Sequence, residues 1–161
     1  MLQNQDVARK LMTIIIEAAS TKHLDKLYEI ETECFKKEAF TKEQIARLLL
    51  DQNCISLIAK HEKEIIGFIV GIVYAEDDTT IGHILTIDVS PRYHRRGVGT
   101  KLLQEMEKIF KDKNVKIIRL EVREDNIAAL NLYDKLGYKK IRKLRRYYGD
   151  AHGLLLVKKL I

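Results

Sequence analysis

From Ser90 to Leu103 the chain reads S-P-R-Y-H-R-R-G-V-G-T-K-L-L, with His94-Arg95-Arg96-Gly97-Val98-Gly99 just where an amphipathic helix opens. Glycines let the backbone come close to a ligand. The first N–H groups of a helix lack partners and carry partial positive charge, and two guanidinium groups add full charges. Together these features bind phosphate, and a ligand with a pyrophosphate is the expectation. Two other phosphate loops are excluded. A P-loop ends in Gly-Lys-Ser/Thr, whereas Gly99 is followed by Thr100-Lys101. A dinucleotide fingerprint needs a third glycine where Leu102 stands. On its own the pattern also fits a glycine-rich turn with solvated arginines.

The loop needs a strand before it and a helix after it. Ile81, Ile84, Leu85, Ile87 and Val89 supply an apolar strand, which Ser90-Pro91 stops because proline has no N–H for a ladder. Leu102, Leu103, Met106, Ile109 and Phe110 recur at helical spacing. Upstream, residues 1–11 read as a lead-in or short helix, and Met12 to Ala18 as a β-branched first strand. Ser20-Thr21 opens a helix with Leu24, Leu27, Tyr28 and Ile30 on one face. Cys34 to Phe40 is a loop, and Thr41 with Gln44 makes a capping box for a helix to about Leu50. Ile55–Lys60 and Ile65–Tyr74 form a hairpin leading to the central strand. After the central helix, Val115 to Arg123 alternates as a strand. Ile118, Leu120 and Val122 share one face; Ile117, Arg119, Glu121 and Arg123 share the other. Asn126 caps a helix that Gly137 ends, and Tyr138–Arg146 and Gly153–Lys159 close the chain around a turn at Gly149-Asp150. The order β-α-α-β-β-β-α-β-α-β-β predicts an α/β fold with a mixed, mostly antiparallel sheet and about four helices.

A chain of 161 residues, 46% hydrophobic and 32% charged, is expected to form one domain over 1–161 with a sizeable core. No apolar run approaches the roughly 20 residues that span a bilayer, so no membrane partner is expected. The polar start carries no secretory signal pattern, and two cysteines, Cys34 and Cys54, suit a reducing cytoplasm. Five histidines without ligand spacing point to no metal. The net charge of +6 favours anionic ligands or an encounter with nucleic acid.

Three segments together resemble the GCN5-related N-acetyltransferase (GNAT) superfamily: V-S-P-R-Y-H-R-R-G-V-G-T-K-L-L, the strand L-E-V-R, and E-D-N-I-A-A-L-N-L-Y-D-K-L-G-Y. The likeness runs from about Met12 to Leu160. It is nearest to RimI-like and archaeal N-alpha-acetyltransferases, on L-E-V-R and the late R-R-Y-Y-G-D. The resemblance implies acetyl-CoA as donor, no metal, and transfer of acetyl to a protein or peptide N-terminal α-amine. It places the pyrophosphate at Arg95, Arg96, Gly97, Val98, Gly99 and Thr100, with His94 where the family usually has Gln or Arg. The main chain of Ile87, Asp88 and Val89 would line the pantetheine and polarise the thioester. Asn126 matches a cofactor contact. Glu121 matches the general base and Tyr133 the general acid beside the coenzyme sulfur. His83, on the entry side of the central strand, would border the acceptor and could assist as a base. Acceptor contacts would come from Phe35, Glu38, Tyr147 and Tyr148, with Lys37 where many members carry proline.

Bland readings stand beside these. Glu121 is also a strand carboxylate that Arg119 or Arg123 would pair, Tyr133 a packed helix tyrosine, and His83 a hydrogen-bonded structural histidine. The basic run Lys139, Lys140, Arg142, Lys143, Arg145 and Arg146 before Tyr147-Tyr148 is compatible with a solvated strand face, with docking of ribosomal RNA or acidic peptides beside the site, and with a basic nucleic-acid- or ribosome-binding module in place of an enzyme. Alternative acceptors are a protein lysine or a small amine such as a polyamine. A polyamine would need an acidic pocket, and the spacing of Glu29, Glu31 and Glu33 suggests a solvated helix face instead. Monomer and dimer are both compatible with the sequence.

Overall fold

The computed structural model describes residues 12–160, and the lead-in expected over 1–11 lies outside them. The elements in order are β1 (Ile14–Ala18), a 3-10 turn (Thr21–His23), α1 (Leu24–Cys34), α2 (Lys42–Leu50), β2 (Cys54–His61), β3 (Glu64–Glu76) and β4 (Thr79–Val89). A 3-10 turn (Pro91–Tyr93), α3 (Val98–Asp112), β5 (Ile117–Arg123), α4 (Ile127–Lys135), β6 (Lys139–Leu144) and β7 (Gly153–Lys159) follow. The strands form a seven-stranded sheet in the order β1-β2-β3-β4-β5-β7-β6. The β4–β5 pair is parallel and the other pairs are antiparallel. This is the α/β architecture and element order expected from the sequence. Small shifts occur at the ends: α1 continues through Cys34, and the last two strands are bridged by a longer turn region than the expected hairpin.

Local chemistry accounts for the boundaries. Thr41 Oγ1 accepts from Gln44 N–H and Gln44 Oε1 accepts from Thr41 N–H, the reciprocal box that starts α2. Asn126 Oδ1 accepts from Ala129 N–H to start α4. Gly137, at φ +92°, ends it.

Two apolar cores lie on the sheet. The larger is built from α3 (Leu102, Leu103, Met106, Phe110) and the inner residues of β5 (Ile118, Leu120, Val122). The smaller joins Leu27 and Ile30 of α1 and Ile45 of α2 to Ile58, Phe68 and Val70. Strand β4 serves both cores because of a bulge. Val70 pairs with Thr86 and Gly71 with Ile84, leaving Leu85 as the extra residue. Ile84 therefore packs in the α3 core, Leu85 packs in the α1 core, and Thr86 still points toward α1. Without the bulge, strict alternation would send Thr86 to the other face.

Candidate active site

The two central strands part. β4 pairs with β5 only over Ile81–His83 against Ile117–Arg119, although β4 runs on to Val89 and β5 to Arg123. From Ile84 onward, the β4 edge that faces β5 has no ladder partner among the described residues, so its main-chain groups before Val89 are not taken by β5. On its other edge β4 stays paired, Ile87 to Ile69 and Val89 to Gly67. Ile87, Asp88 and Val89 therefore lie along a rigid strand with one open edge.

The basic loop stands at the end of that strand. His94 Nε2 donates to the Val89 carbonyl at 2.7 Å, pinning the loop to β4. Arg95 (φ +63°) and Gly97 (φ +81°) are both left-handed, a curvature that gathers successive N–H groups into an anion-binding concavity. No atom of the described residues lies within 4 Å of where a Cβ of Gly97 would stand. Gly99 has a different role: a Cβ there would meet Leu132 Cδ2 at 3.3 Å, so its bareness seats α3 against α4. Val98 is buried, Thr100 is half-buried in the first turn of α3, and Arg95 is exposed. The Arg96 guanidinium lies over the Tyr93 ring at 5.6 Å. A curved backbone with an exposed arginine at a helix start fits a pyrophosphate.

Beside the parting of the strands, His83 Nε2 donates to Glu121 Oε2 at 2.7 Å. The expected partners of Glu121, Arg119 and Arg123, are both engaged elsewhere. Arg119 Nη1 reaches the Tyr74 hydroxyl (3.4 Å) and Glu76 (3.3 Å). The parallel register sets His83 opposite Arg119, which brings the histidine within reach of Glu121 two residues on. Both side chains remain partly open to solvent, at 21% exposure each. Tyr133, on α4, is buried, and its ring meets Tyr138 edge-on at 5.7 Å. Burial above all pushes its hydroxyl above the ordinary phenol range, so it keeps its proton at any physiological pH. The Asn126 side-chain oxygen is taken by the α4 cap.

Three loops meet around Arg123, a residue that sequence reasoning assigned only as a strand partner. Its guanidinium reaches Asp125 (3.0 Å), Asp150 (3.1 Å) and Glu38 (3.7 Å) and lies over the Tyr148 ring at 5.6 Å. Arg123 thus ties the loop after α1 to the turn before β7. Glu38 is committed to that pair. Phe35 caps the end of α1, its N–H donating to the Glu31 carbonyl at 2.9 Å. Tyr147 is exposed, Tyr148 is half-buried, and their rings pack edge-on at 4.9 Å. Burial raises both hydroxyls, and the charge of Glu121 adds to each, which sets this aromatic pair near the His83–Glu121 pair.

The expectation for Glu29, Glu31 and Glu33 needs correction. Glu29 and Glu33 are exposed, but Glu31 is 1% exposed, so the three build no acidic pocket. The signal was present in the sequence: Leu27, Ile30, Glu31 and Cys34 fall at i, i+3, i+4 and i+7, one stripe in which the first three are buried and Cys34 is half-buried. Among the described residues no group of three or more His, Cys, Asp or Glu is arranged to hold a metal ion. No helix among them is long and apolar enough to cross a membrane.

Comparison with known proteins places this geometry in context. The family model described as "Acetyltransferase (GNAT) family" matches residues 24–138. An uncharacterized N-acetyltransferase of Methanocaldococcus jannaschii is 34% identical over 91% of this chain and 92% of its own length. An N-alpha-acetyltransferase of Sulfurisphaera tokodaii is 37% identical over 68% of this chain and 71% of its own. The crystal structure of Ard1 from Thermoplasma volcanium superimposes with a TM-score of 0.84 at 27% identity, covering 92% of this chain and 98% of that one.

Proposed function

The chain belongs to the GNAT acetyltransferase family, and from that premise we propose that it acetylates the free α-amine at the N-terminus of a protein or peptide. It is an acyltransferase with acetyl-CoA as donor. The whole chain, 1–161, acts as one catalytic unit. The observation that carries the acceptor reading is the His83–Glu121 pair, half-open beside the parting strands and facing the loops that Arg123 gathers. The similarity to a named N-alpha-acetyltransferase supports it.

Acetyl-CoA brings an acyl group activated as a thioester. Main-chain N–H groups on the open edge of β4 around Ile87, Asp88 and Val89 polarise its carbonyl. The backbone of Arg95, Arg96, Gly97, Val98, Gly99 and Thr100 receives the pyrophosphate, and Asn126 borders the same cleft. Glu121, oriented by His83, takes the proton from the attacking amine. Tyr133 returns a proton to the departing sulfur, a role suited to a hydroxyl that burial keeps protonated. Phe35, Glu38, Tyr147 and Tyr148 wall the acceptor. At pH 7, deprotonating an α-amine of pKa about 8 costs about 1.4 kcal/mol, and a lysine of about 10.4 costs about 4.6. A single carboxylate is adequate for the first.

The exposed basic strand β6, with Lys143, Arg145, Arg146 and His152 around a cleft of about 500 Å³, supports docking at the ribosome in a reducing cytoplasm. Co-sedimentation with ribosomes is expected to fall steeply with salt, and insensitivity to salt would remove that docking. The acceptor is tested with acetyl-CoA and matched peptides, free or blocked at the N-terminus, with and without lysine. Mass spectrometry is expected to place acetyl only on free N-termini. Modification confined to lysine would overturn the acceptor and leave the donor chemistry standing.

A further inference from the structure

The three buried polar or charged side chains among the described residues stand in one place: Glu31 and Asp88, each 1% exposed, and Thr86, 7% exposed. Thr86 Oγ1 lies 3.0 Å from Glu31 Oε1 and 2.6 Å from Asp88 Oδ1. A hydroxyl has a single hydrogen to donate. The second of these oxygen–oxygen contacts therefore needs a hydrogen from a carboxyl group. Two bare carboxylates at this depth would also repel each other strongly. Among the described residues the groups that act on Asp88 are Glu31 and Thr86, and its Oδ2 is buried without a partner. Burial first, then the charge of Glu31, pushes Asp88 well above the ordinary carboxylate range. The other titratable neighbours, Cys34 of α1 and Tyr133 of α4, are themselves raised and uncharged at neutral pH. Geometry and electrostatics agree that the pair holds a proton.

The cluster has a second end. Glu31 Oε2 accepts the Phe40 N–H at 3.0 Å, at the close of the loop that carries Phe35 and Glu38. A continuous hydrogen-bonded chain thus runs from that loop, through Glu31, to Thr86 and Asp88 on β4. We propose that Glu31 is a positioning residue for the acceptor: joined to Thr86 and Asp88 through a shared proton, it holds the 35–40 loop in register with the strand that carries the donor. The role rests on the acceptor reading above. Glu31 touches neither reactant. It fixes the distance between the wall that receives the amine and the main chain that receives the thioester.

The test compares E31A, E31Q and the wild type in peptide acetylation, with acetyl-CoA affinity measured separately by calorimetry. E31A is expected to raise the KM for the peptide tenfold or more while acetyl-CoA binds within twofold of wild type. E31Q is expected to restore most of the loss, since its amide oxygen accepts the Phe40 N–H and its NH2 donates to Thr86 Oγ1, whose own hydrogen then goes to Asp88. An unchanged peptide KM in E31A would overturn the proposal, as would equal weakening of peptide and acetyl-CoA. Amide hydrogen exchange on the wild type needs no variant to fold. The Phe40 amide is expected to exchange more slowly than those of its exposed neighbours Lys36 and Lys37, and exchange as fast as theirs would sink the tether. If the wild type acetylates no free N-terminus, the acceptor reading fails by itself, and the Phe40 amide still decides the tether.

Discussion

At the scale of single residues, the site depends on where each proton sits. Glu121 and Tyr133 are assigned opposite halves of one transfer, so E121Q and Y133F should each lower kcat by about 10²–10⁴-fold. Acetyl-CoA affinity should stay near wild type, measured by steady-state kinetics and calorimetry. A variant with full turnover would strip its residue of the role. Asp88 makes a prediction about stability. Its carboxyl, ordinarily near 3.9, is raised in the folded state, so the folded chain keeps a proton that the unfolded chain releases. Stability from this group is fully present below about pH 4 and is lost as pH climbs toward the raised value. D88N, neutral at every pH, should melt higher than wild type, and the gap should widen from pH 5 to pH 8. The alternation of β5 displayed Glu121 on its face in the sequence, but its partner was not legible there. His83 arrives through parallel pairing across 38 positions, which no local pattern encodes. Glu31 was legible in its helical stripe, yet a charged residue among neighbours of the same charge reads as solvated until its buried partners are known.

The elements were nearly all legible, because each has a local physical cause: a capping box at Thr41, a proline at Pro91, period-two burial in β5 and an αL glycine at Gly137. The parting of β4 from β5 and the bulge opposite Val70 and Gly71 were not, since both are relations between strands. The loop proposed to receive the pyrophosphate gives the prediction at this scale. Gly97 is left-handed and no atom of the described residues stands where a Cβ would, so conformational strain is what G97A meets there. A left-handed non-glycine residue costs roughly 1–2 kcal/mol, which should appear as about a tenfold loss in acetyl-CoA affinity with the fold intact by circular dichroism. Unchanged binding would mean that the curvature at Gly97 is not what receives the donor.

For the molecule as a whole, donor binding and stability are linked. Coenzyme A at about 100 times its Kd adds about 2.7 kcal/mol to the folded state. For a chain of this size that corresponds to about 5–10 °C in Tm, readable by scanning calorimetry, and no shift would remove the donor site from the folded chain. The net charge of +6 was legible at once and bears on encounter with anions, but it says nothing about which amine is chosen. The two cores have a consequence of their own. Among the described residues, twenty buried side chains hold the side of the sheet that carries α3 and α4, and six hold the side that carries α1 and α2. The lighter side can therefore open locally while the heavier one stays closed, as cooperative units of unequal stability do. A lineage of such chains could exchange α1, α2 and their loop for new recognition surfaces while the grip on the coenzyme went untouched.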